Sequence, residues 1–226
     1  MSRRVGTVPR RGDEIARGDG SVARRTLART SLPKAFYARE TEIVARELLG
    51  AILESRSEAG VTSGRIVETE AYVGEHDLAC HAAAGRTART DPLYGEPGTA
   101  YVYFIYGVHW CFNAVTRPVG LPSAVLIRAI EPVDGVELMR TRRSAAARVA
   151  DLTNGPGKFC QAMGITGAHN RLSLRRPPLQ IYAGDPVPDR DVEITPRIGI
   201  TQCADWPLRW VIAGNPFVSR RPRRIR

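Results

Sequence analysis

Residues 101–113 give the clearest indication of the fold, with the sequence Tyr101-Val102-Tyr103-Phe104-Ile105-Tyr106-Gly107-Val108-His109-Trp110-Cys111-Phe112-Asn113. Aromatic and β-branched residues over 101–105 predict a strand, because such side chains pack well on a pleated surface. Tyr106-Gly107 predicts a tight turn and residues 108–113 a returning strand, so the stretch should form a β-hairpin. Tyr106 would then lie at the tip, either as an ordinary turn residue or as a group that contacts a ligand.

Two further strands are predicted on either side of this hairpin. Residues 61–72 alternate in polarity, and a period of two places four side chains on one face: Ile66, Glu68, Glu70 and Tyr72. Residues 125–130 predict a buried strand that contains Arg128. Buried charges need partners, so residue type alone favours structural salt bridges for these glutamates. Arg128 would pair with Glu68 or Glu131.

The remaining pattern predicts an α+β fold. Helices are expected over residues 42–49, from Pro132 onward, and over residues 158–163. The second helix would have Val136, Leu138 and Met139 inside and Arg140, Arg142 and Arg143 outside. Further strands are expected at residues 51–54, 179–183, 197–201 and 208–213, with loops at 84–99 and 117–123. We therefore expect a single domain over residues 31–219. It would have a curved, mostly antiparallel β core, surrounding helices and a protruding β-hairpin.

The charge of the chain is concentrated at its ends. The formal net charge is +10, and residues 1–30 and 220–226 contribute +5 each, so the part between them is neutral. Residues 1–30 lack apolar periodicity and predict a disordered basic arm, and residues 220–226 predict a basic tail. Such arms suit non-specific contact with phosphates. A general preference for arginine over lysine explains the charge equally well.

Composition argues against a membrane protein and a metalloprotein. No apolar run approaches the roughly 18 residues of a membrane span, and no secretory signal is evident. The four cysteines are far apart and predict reduced thiols in a cytoplasmic protein. Potential metal ligands crowd one short segment: Glu75, His76, Asp77, Cys80 and His81. No second cluster completes a zinc site, so we expect no metal and no cofactor.

Several ordered motifs resemble the alkyladenine (3-methyladenine) DNA glycosylase family, whose members flip a damaged purine out of DNA and hydrolyse its glycosidic bond. The matching segments are Arg65-Ile66-Val67-Glu68-Thr69-Glu70-Ala71-Tyr72, His81, residues 97–113, residues 124–132, Asn154-Gly155-Pro156-Gly157-Lys158 and Pro196-Arg197-Ile198-Gly199-Ile200. They follow the family's order and span residues 32–219. The resemblance implies a fold like that of the C-terminal domain of methionyl-tRNA formyltransferase.

The resemblance also assigns chemical roles. Glu70 matches the family's catalytic acid, which takes a proton from the attacking water and counters the positive charge that develops on the sugar. Arg128 and the backbone carbonyl of Ile198 match groups that help to hold this water. Glu68 matches no such role and is interpreted as structural.

Other residues match the family's substrate contacts. Tyr72, His81 and Tyr103 match positions that stack on the flipped base, although residue type alone would explain each of them as a core residue. His81 would also hydrogen-bond the exocyclic group of the base. Asn113 matches a residue that clashes with the amino group of normal guanine. Tyr106 matches a side chain that wedges into the minor groove and fills the gap left by the flipped nucleotide.

Lys158 follows Gly155-Pro156-Gly157 at a predicted helix start, where free N–H groups attract anions. The motif lacks the P-loop pattern, so it indicates either a contact to the DNA backbone or a simple helix start. Val108-His109-Trp110 departs from vertebrate relatives and leaves the lesion preference open.

The sequence thus predicts a monofunctional base-excision-repair glycosylase without lyase activity. Its partner would be double-stranded DNA containing alkylated purines such as 3-methyladenine. We expect a monomer in the bacterial cytoplasm, associated with the nucleoid. A non-enzymatic nucleic-acid-binding module and a metal-dependent hydrolase built on the 76–81 segment are the alternatives.

Overall fold

The computed structural model describes Met1 and residues 29–219, and this part of the chain contains four α-helices and nine β-strands. The helices are α1 (Lys34–Tyr37), α2 (Thr41–Glu47), α3 (Val136–Arg142) and α4 (Pro156–Met163). The strands are β1 (Ile52–Ser57), β2 (Gly60–Tyr72), β3 (Ala100–Ile105), β4 (His109–Val115), β5 (Ala124–Asp134), β6 (Arg175–Arg176), β7 (Leu179–Tyr182), β8 (Val192–Thr195) and β9 (Arg209–Ile212). Residues 2–28 of the predicted arm and the whole predicted tail lie outside the described residues.

The strands form one sheet in the order β3-β4-β5-β2-β1-β7-β6, to which β9 and β8 are added beside β2. All of these pairings are antiparallel. The 13-residue strand β2 lies at the centre. Strand β5 runs along one edge of it, while β1 and then β9 share the other edge. The sheet curls around this strand, which confirms the predicted single-domain α+β fold with a curved antiparallel core.

The pairing of β2 with β5 is irregular beside the two predicted glutamates. Ile66 lies opposite Ile130, but Glu68 lies opposite Ala129 and Thr69 opposite Ile127, so Val67 and Arg128 have no direct partner in the ladder. Such irregularities bend a strand and redirect side chains near functional sites. Here the irregularity brings Arg128 to the carboxylates of β2.

The predicted hairpin is confirmed as β3 and β4, which pair from Ala100–Ala114 to Ile105–His109. Tyr106 and Gly107 form the turn with φ values of 54° and 67°. The N–H of Val108 donates to the carbonyl of Ile105 over 3.2 Å and closes it. Positive φ at both central residues gives the turn the twist that suits a two-stranded ribbon.

Two hydrophobic clusters stabilise the fold. The larger one fills the space between the sheet and the helices and includes the edge-to-face contact of Phe112 on β4 with Phe159 on α4. The smaller one lies beneath the hairpin and includes Leu93, Tyr101 and Val115. Tyr72 and Tyr103 pack against this smaller cluster, so two of the predicted pocket residues rest on a separate core.

The predicted helix after β5 is present as α3, but its predicted start at Pro132 is wrong, because β5 continues to Asp134 and α3 begins at Val136. Pro132 lies opposite Gly64 beside a register shift, where the ladder tolerates a residue without an N–H. Gly135, at φ 72°, then separates strand from helix.

The arginines of α3 also differ from the expectation of an outward orientation. Arg142 and Arg143 are half-buried and donate to Ala162 and Gln161 of α4. Their long side chains tie α3 to α4 and cover part of the interface between the two helices.

The predicted strand over residues 197–201 is wrong as well, because the strand in this region is β8, which ends at Thr195. Residues 196–200 form an irregular segment. Its polar groups are used elsewhere: Arg197 pairs with Asp77, and the N–H of Ile198 donates to Glu70. A strand would have needed that N–H for a ladder bond.

Candidate active site

A pocket of about 350 Å³ opens between the β3–β4 hairpin, the segment after β2 and the segment 196–200. It is lined by all but two of the residues predicted to form the site: Tyr72, His81, Tyr103, Tyr106, Asn113, Arg128 and Ile198. A second cavity of about 450 Å³, between α2 and residues 183–189, contains none of them. The pocket has the size range of small-molecule sites and a mostly aromatic and apolar wall.

One wall consists of three packed aromatic rings. The centroids of His81 and Tyr103 are 4.5 Å apart with the rings inclined at 63°, and Tyr101 lies 5.2 Å from Tyr103. Nδ1 of His81 shares a hydrogen bond of 2.8 Å with the hydroxyl of Tyr101. Burial and the nearby charge of Arg89 lower the pKa of His81, so this imidazole is neutral at neutral pH. The wall is therefore a rigid, uncharged surface with one ring nitrogen of His81 left for a ligand.

Glu70 lies directly behind the pocket, and its side chain is completely buried. Oε1 accepts the backbone N–H of Ile198 at 2.7 Å. Oε2 accepts the Tyr72 hydroxyl at 3.0 Å and Nη1 of Arg128 at 3.2 Å. All three donor residues line the pocket, so the carboxylate is bound by residues that border the ligand space.

The ionisation of Glu70 reflects opposing effects. Burial raises the pKa of Glu70, while Arg128, the Ile198 N–H and the Tyr72 hydroxyl lower it, and burial outweighs them. A carboxylate oxygen can accept two hydrogen bonds, and Oε1 uses one of them for Ile198. The group is thus a strong acceptor with a raised proton affinity, which are the properties of a general base.

Glu68 is also completely buried, and it accepts four hydrogen bonds from residues within 29–219. Its donors are Nε of Arg128 at 3.0 Å, Nε of Arg209 at 2.8 Å, and the backbone N–H and hydroxyl of Ser219 at 2.6 and 2.8 Å. Arg128 therefore bridges Glu68 and Glu70, whereas Glu131 contacts Arg65 and Asn215 instead. This geometry agrees with the structural interpretation of Glu68.

Asn113 is buried on β4, where its side chain forms part of the pocket wall. Its Nδ2 donates to the carbonyl of Tyr101 on the paired strand at 3.0 Å. Because this bond fixes the amide, the side chain is a rigid obstacle rather than an adaptable one.

Tyr106 is 81% exposed at the hairpin tip and also lines the mouth of the pocket. The hairpin that carries it is braced by the tilted stacking of Phe104 on Trp110, with centroids 4.7 Å apart. An exposed ring on a braced turn can enter a partner molecule without rearrangement of the hairpin.

Lys158 is exposed in the first turn of α4, and its Nζ donates to Asn154 at 2.7 Å. It does not line the pocket, although Pro156 and Gly157 do. A Cβ on Gly157 would come within 2.8 Å of the ring of His109, so this position has to be small for α4 to approach the hairpin.

The segment considered for metal binding is used for other contacts. Asp77 is paired with Arg197, His76 lies near the Trp206 ring and His81 is bound to Tyr101. Among the described residues there is no group of three or more His, Cys, Asp or Glu side chains close enough to hold a metal ion.

Sequence reasoning gave no site role to Tyr101, Arg197 or Ser219, and it considered Asp77 only as a potential metal ligand. Tyr101 lies in the tyrosine-rich strand and could have been found from its spacing to Tyr103. The pairing of Arg197 with Asp77 and the contact of Ser219 with Glu68 have no local signal, because these residues are 120 and 151 positions apart.

Comparisons with known proteins converge on one family. A family model described as methylpurine-DNA glycosylase (MPG) matches residues 35–216. Among curated relatives, a Myxococcus xanthus protein is 49% identical over 84% of this chain and 94% of its own length. A Koribacter versatilis protein is 44% identical over 88% and 98%, and one from Methanoculleus marisnigri is 47% identical over 84% and 100%. All three are named "Putative 3-methyladenine DNA glycosylase". The chain belongs to the methylpurine-DNA glycosylase family.

Proposed function

We propose that this protein removes alkylated purines, such as 3-methyladenine, from double-stranded DNA by hydrolysis of the N-glycosidic bond. The observation that carries the proposal is the buried carboxylate of Glu70, held by three donors directly behind an aromatic pocket. The names of the relatives supply the substrate class.

The damaged base would leave the duplex and enter between Tyr72 on one side and the His81–Tyr103 wall on the other. A planar purine gains stacking energy against aromatic faces, and a cationic alkylated purine gains more from their π-electrons. His81 would hydrogen-bond the exocyclic group of the base, since its other ring nitrogen is occupied by Tyr101. The rigid amide of Asn113 would exclude the amino group of normal guanine.

Hydrolysis would proceed through an oxocarbenium-like transition state. Glu70 would take a proton from the attacking water, and its negative charge would stabilise the positive sugar. Arg128 and the backbone carbonyl of Ile198 would hold this water on the correct side. An alkylated purine already carries a positive charge, so it can leave without a proton from the protein.

Tyr106 would occupy the gap that the flipped nucleotide leaves in the duplex. Its exposure at the tip of a closed turn supports this role. Lys158 would contact a backbone phosphate beside the pocket, because its ammonium group is exposed in the first turn of α4.

We further propose that the enzyme acts as a monomer through water alone, without lyase activity. A lyase needs an amine that forms a Schiff base with the sugar. The chain has two lysines; Lys34 pairs with Glu96 and Lys158 with Asn154, and neither lines the pocket.

A panel of duplexes that each contain one defined lesion tests the proposal. Purified protein should release the free base from 3-methyladenine duplexes and leave an intact abasic strand. Binding without base release would overturn the proposal and favour a non-enzymatic DNA-binding module. Loss of activity on chelation would favour a metal-dependent hydrolase.

A further inference from the structure

Arg197 and Asp77 form a buried ion pair beside the site. Both side chains are completely buried, and the guanidinium donates from Nη1 and Nη2 to the two carboxylate oxygens at 2.5 and 2.8 Å. Nη1 also donates to the backbone carbonyl of Ala71 at 3.0 Å. Arg197 therefore links the segment 196–200 to the end of β2, between Glu70 and Tyr72.

Asp77 fixes the chain that follows β2. Its two oxygens also accept the backbone N–H groups of Val73 and Ala79 at 3.2 and 3.1 Å. One carboxylate thus holds both the turn after β2 and the incoming arginine. Movement of Arg197 would be transmitted directly to this turn.

Arg197 also contacts the pocket wall from behind. Its guanidinium carbon lies 4.7 Å from the centroid of the Tyr72 ring, a cation–π contact. Tyr72 lines the pocket and Arg197 does not, so the guanidinium supports the ring on the side away from the ligand space.

Two of the three donors to Glu70 are attached to this pair. The Ile198 N–H belongs to the residue that follows Arg197, and the Tyr72 hydroxyl belongs to the ring on which Arg197 stacks. The third donor, Arg128, is held separately by Glu68 on the other side. The donors to Glu70 are therefore held by two separate buried carboxylates, Asp77 on one side and Glu68 on the other.

We propose that the Arg197–Asp77 pair is a positioning device that holds the Ile198 N–H and the Tyr72 ring on Glu70. The proposal rests on the proposed catalytic role of Glu70. Burying an ion pair costs free energy, and apolar packing would often be as stable, so the value of the pair lies in the fixed geometry of its planar, two-pronged contact.

Weakening of the Arg197–Asp77 pair should shift the pKa of Glu70 in a predictable direction. The Ile198 N–H and the Tyr72 hydroxyl both lower the pKa of Glu70, so their loss would raise it further. Charged or titratable groups face Glu70 from β2, β3, β4, β5 and the segment 196–200: Glu68, Tyr72, Tyr103, Cys111, Arg128 and Arg197. The Asp77→Asn change would remove none of these groups. It would also leave Arg209 unchanged, which lies opposite Glu70 on β9.

Asp77→Asn is the discriminating variant because Arg197 keeps its charge. Removal of a nearby negative charge would by itself lower the pKa of Glu70 and move the acid limb of the rate profile to lower pH. Loss of positioning would move this limb to higher pH. We expect single-turnover base release at neutral pH to fall about 10- to 100-fold, since small misplacements of catalytic groups have effects of this size.

Arg197→Lys is the second variant, because an ammonium group keeps the charge but loses the two-pronged contact. The matched control is Leu179→Ala, which removes a buried side chain on β7. It should lower the melting temperature but leave base release unchanged at temperatures where the variant is folded. All variants are assayed at temperatures where circular dichroism shows them folded.

A slower rate with the acid limb at higher pH in either folded variant would support the proposal. Unchanged rate and acid limb in the folded variants, with only a lower melting temperature, would overturn it and leave the role of Glu70 intact. Retention of activity by Glu70→Gln in the same assay would instead refute the proposed function, and the positioning role with it.

Discussion

Replacement of Glu68 by Gln tests whether Glu68 stabilises the fold while Glu70 acts in base release. Glu68 and Glu70 together balance Arg128 and Arg209 in the described part of the chain. The change would remove the carboxylate charge that both guanidinium groups contact. It would also place an amide N–H₂ where the Ser219 donors or an arginine N–H now find an acceptor.

The expected effect is large because the cluster excludes water. Breaking a buried ion pair by loss of one partner costs about 3–5 kcal/mol. For a domain of this length, 1 kcal/mol shifts the melting temperature by about 2–4 °C, so a decrease of roughly 6–20 °C is expected. Activity should change in a characteristic way, since the charge of Glu68 raises the pKa of Glu70 and its removal should move the acid limb to lower pH.

Thermal and urea unfolding of Glu68→Gln, beside Glu131→Gln as the control, gives the comparison. Glu131 is half-exposed, lies 3.9 Å from Arg65 and accepts one bond from Asn215, so its loss should cost no more than about 1 kcal/mol. Equal stability of the two variants would refute the account of a buried network around Arg128.

Three further predictions concern ionisation, the reaction path and the basic arm. Because burial raises the pKa of Glu70 above its usual 4.5 and the base must be ionised, single-turnover base release should fall with acidification through a pKa above 4.5; a limb below that value would contradict the assignment. Borohydride should trap no enzyme–DNA adduct during turnover, and EDTA should not slow base release, since neither lysine lines the pocket; a trapped adduct would rule out the water mechanism. Deletion of residues 2–28, which carry seven arginines and three acidic residues, should make the affinity for DNA less salt-dependent and leave the ratio of rates on two lesions within about twofold; an unchanged salt slope would mean that the arm does not contact DNA.

The local part of the fold and site could be predicted from sequence. A period of two on β2 placed Glu68, Glu70 and Tyr72 together, and the structure joins them through Arg128 and the Tyr72 hydroxyl. The hairpin followed from β-prone residues around Tyr106-Gly107. These features depend on neighbours in the chain, so composition and spacing carry the signal.

The long-range part could not be predicted. Arg197 alternates with apolar residues in the manner of a strand, but its side chain is committed to Asp77 on a distant segment. Proline is common at the first position of a helix, so the sequence predicts a helix start at Pro132. The structure places it in β5 instead, where a register shift removes the need for its N–H. The hydrogen bond from Ser219 to Glu68 depends on how the residues after β9 pack against β2, which no local pattern encodes.

Replacement of Glu70 by Gln, with base release measured on a single-lesion duplex, is the decisive test of the proposed general base. The amide keeps the shape of the side chain but cannot accept the proton of the water, so single-turnover base release should fall by at least the roughly 10²–10⁴-fold typical of a general base. Affinity for the lesion duplex should persist, because Tyr72, His81 and Tyr103 remain. Base release within tenfold of the unmodified protein would contradict the account.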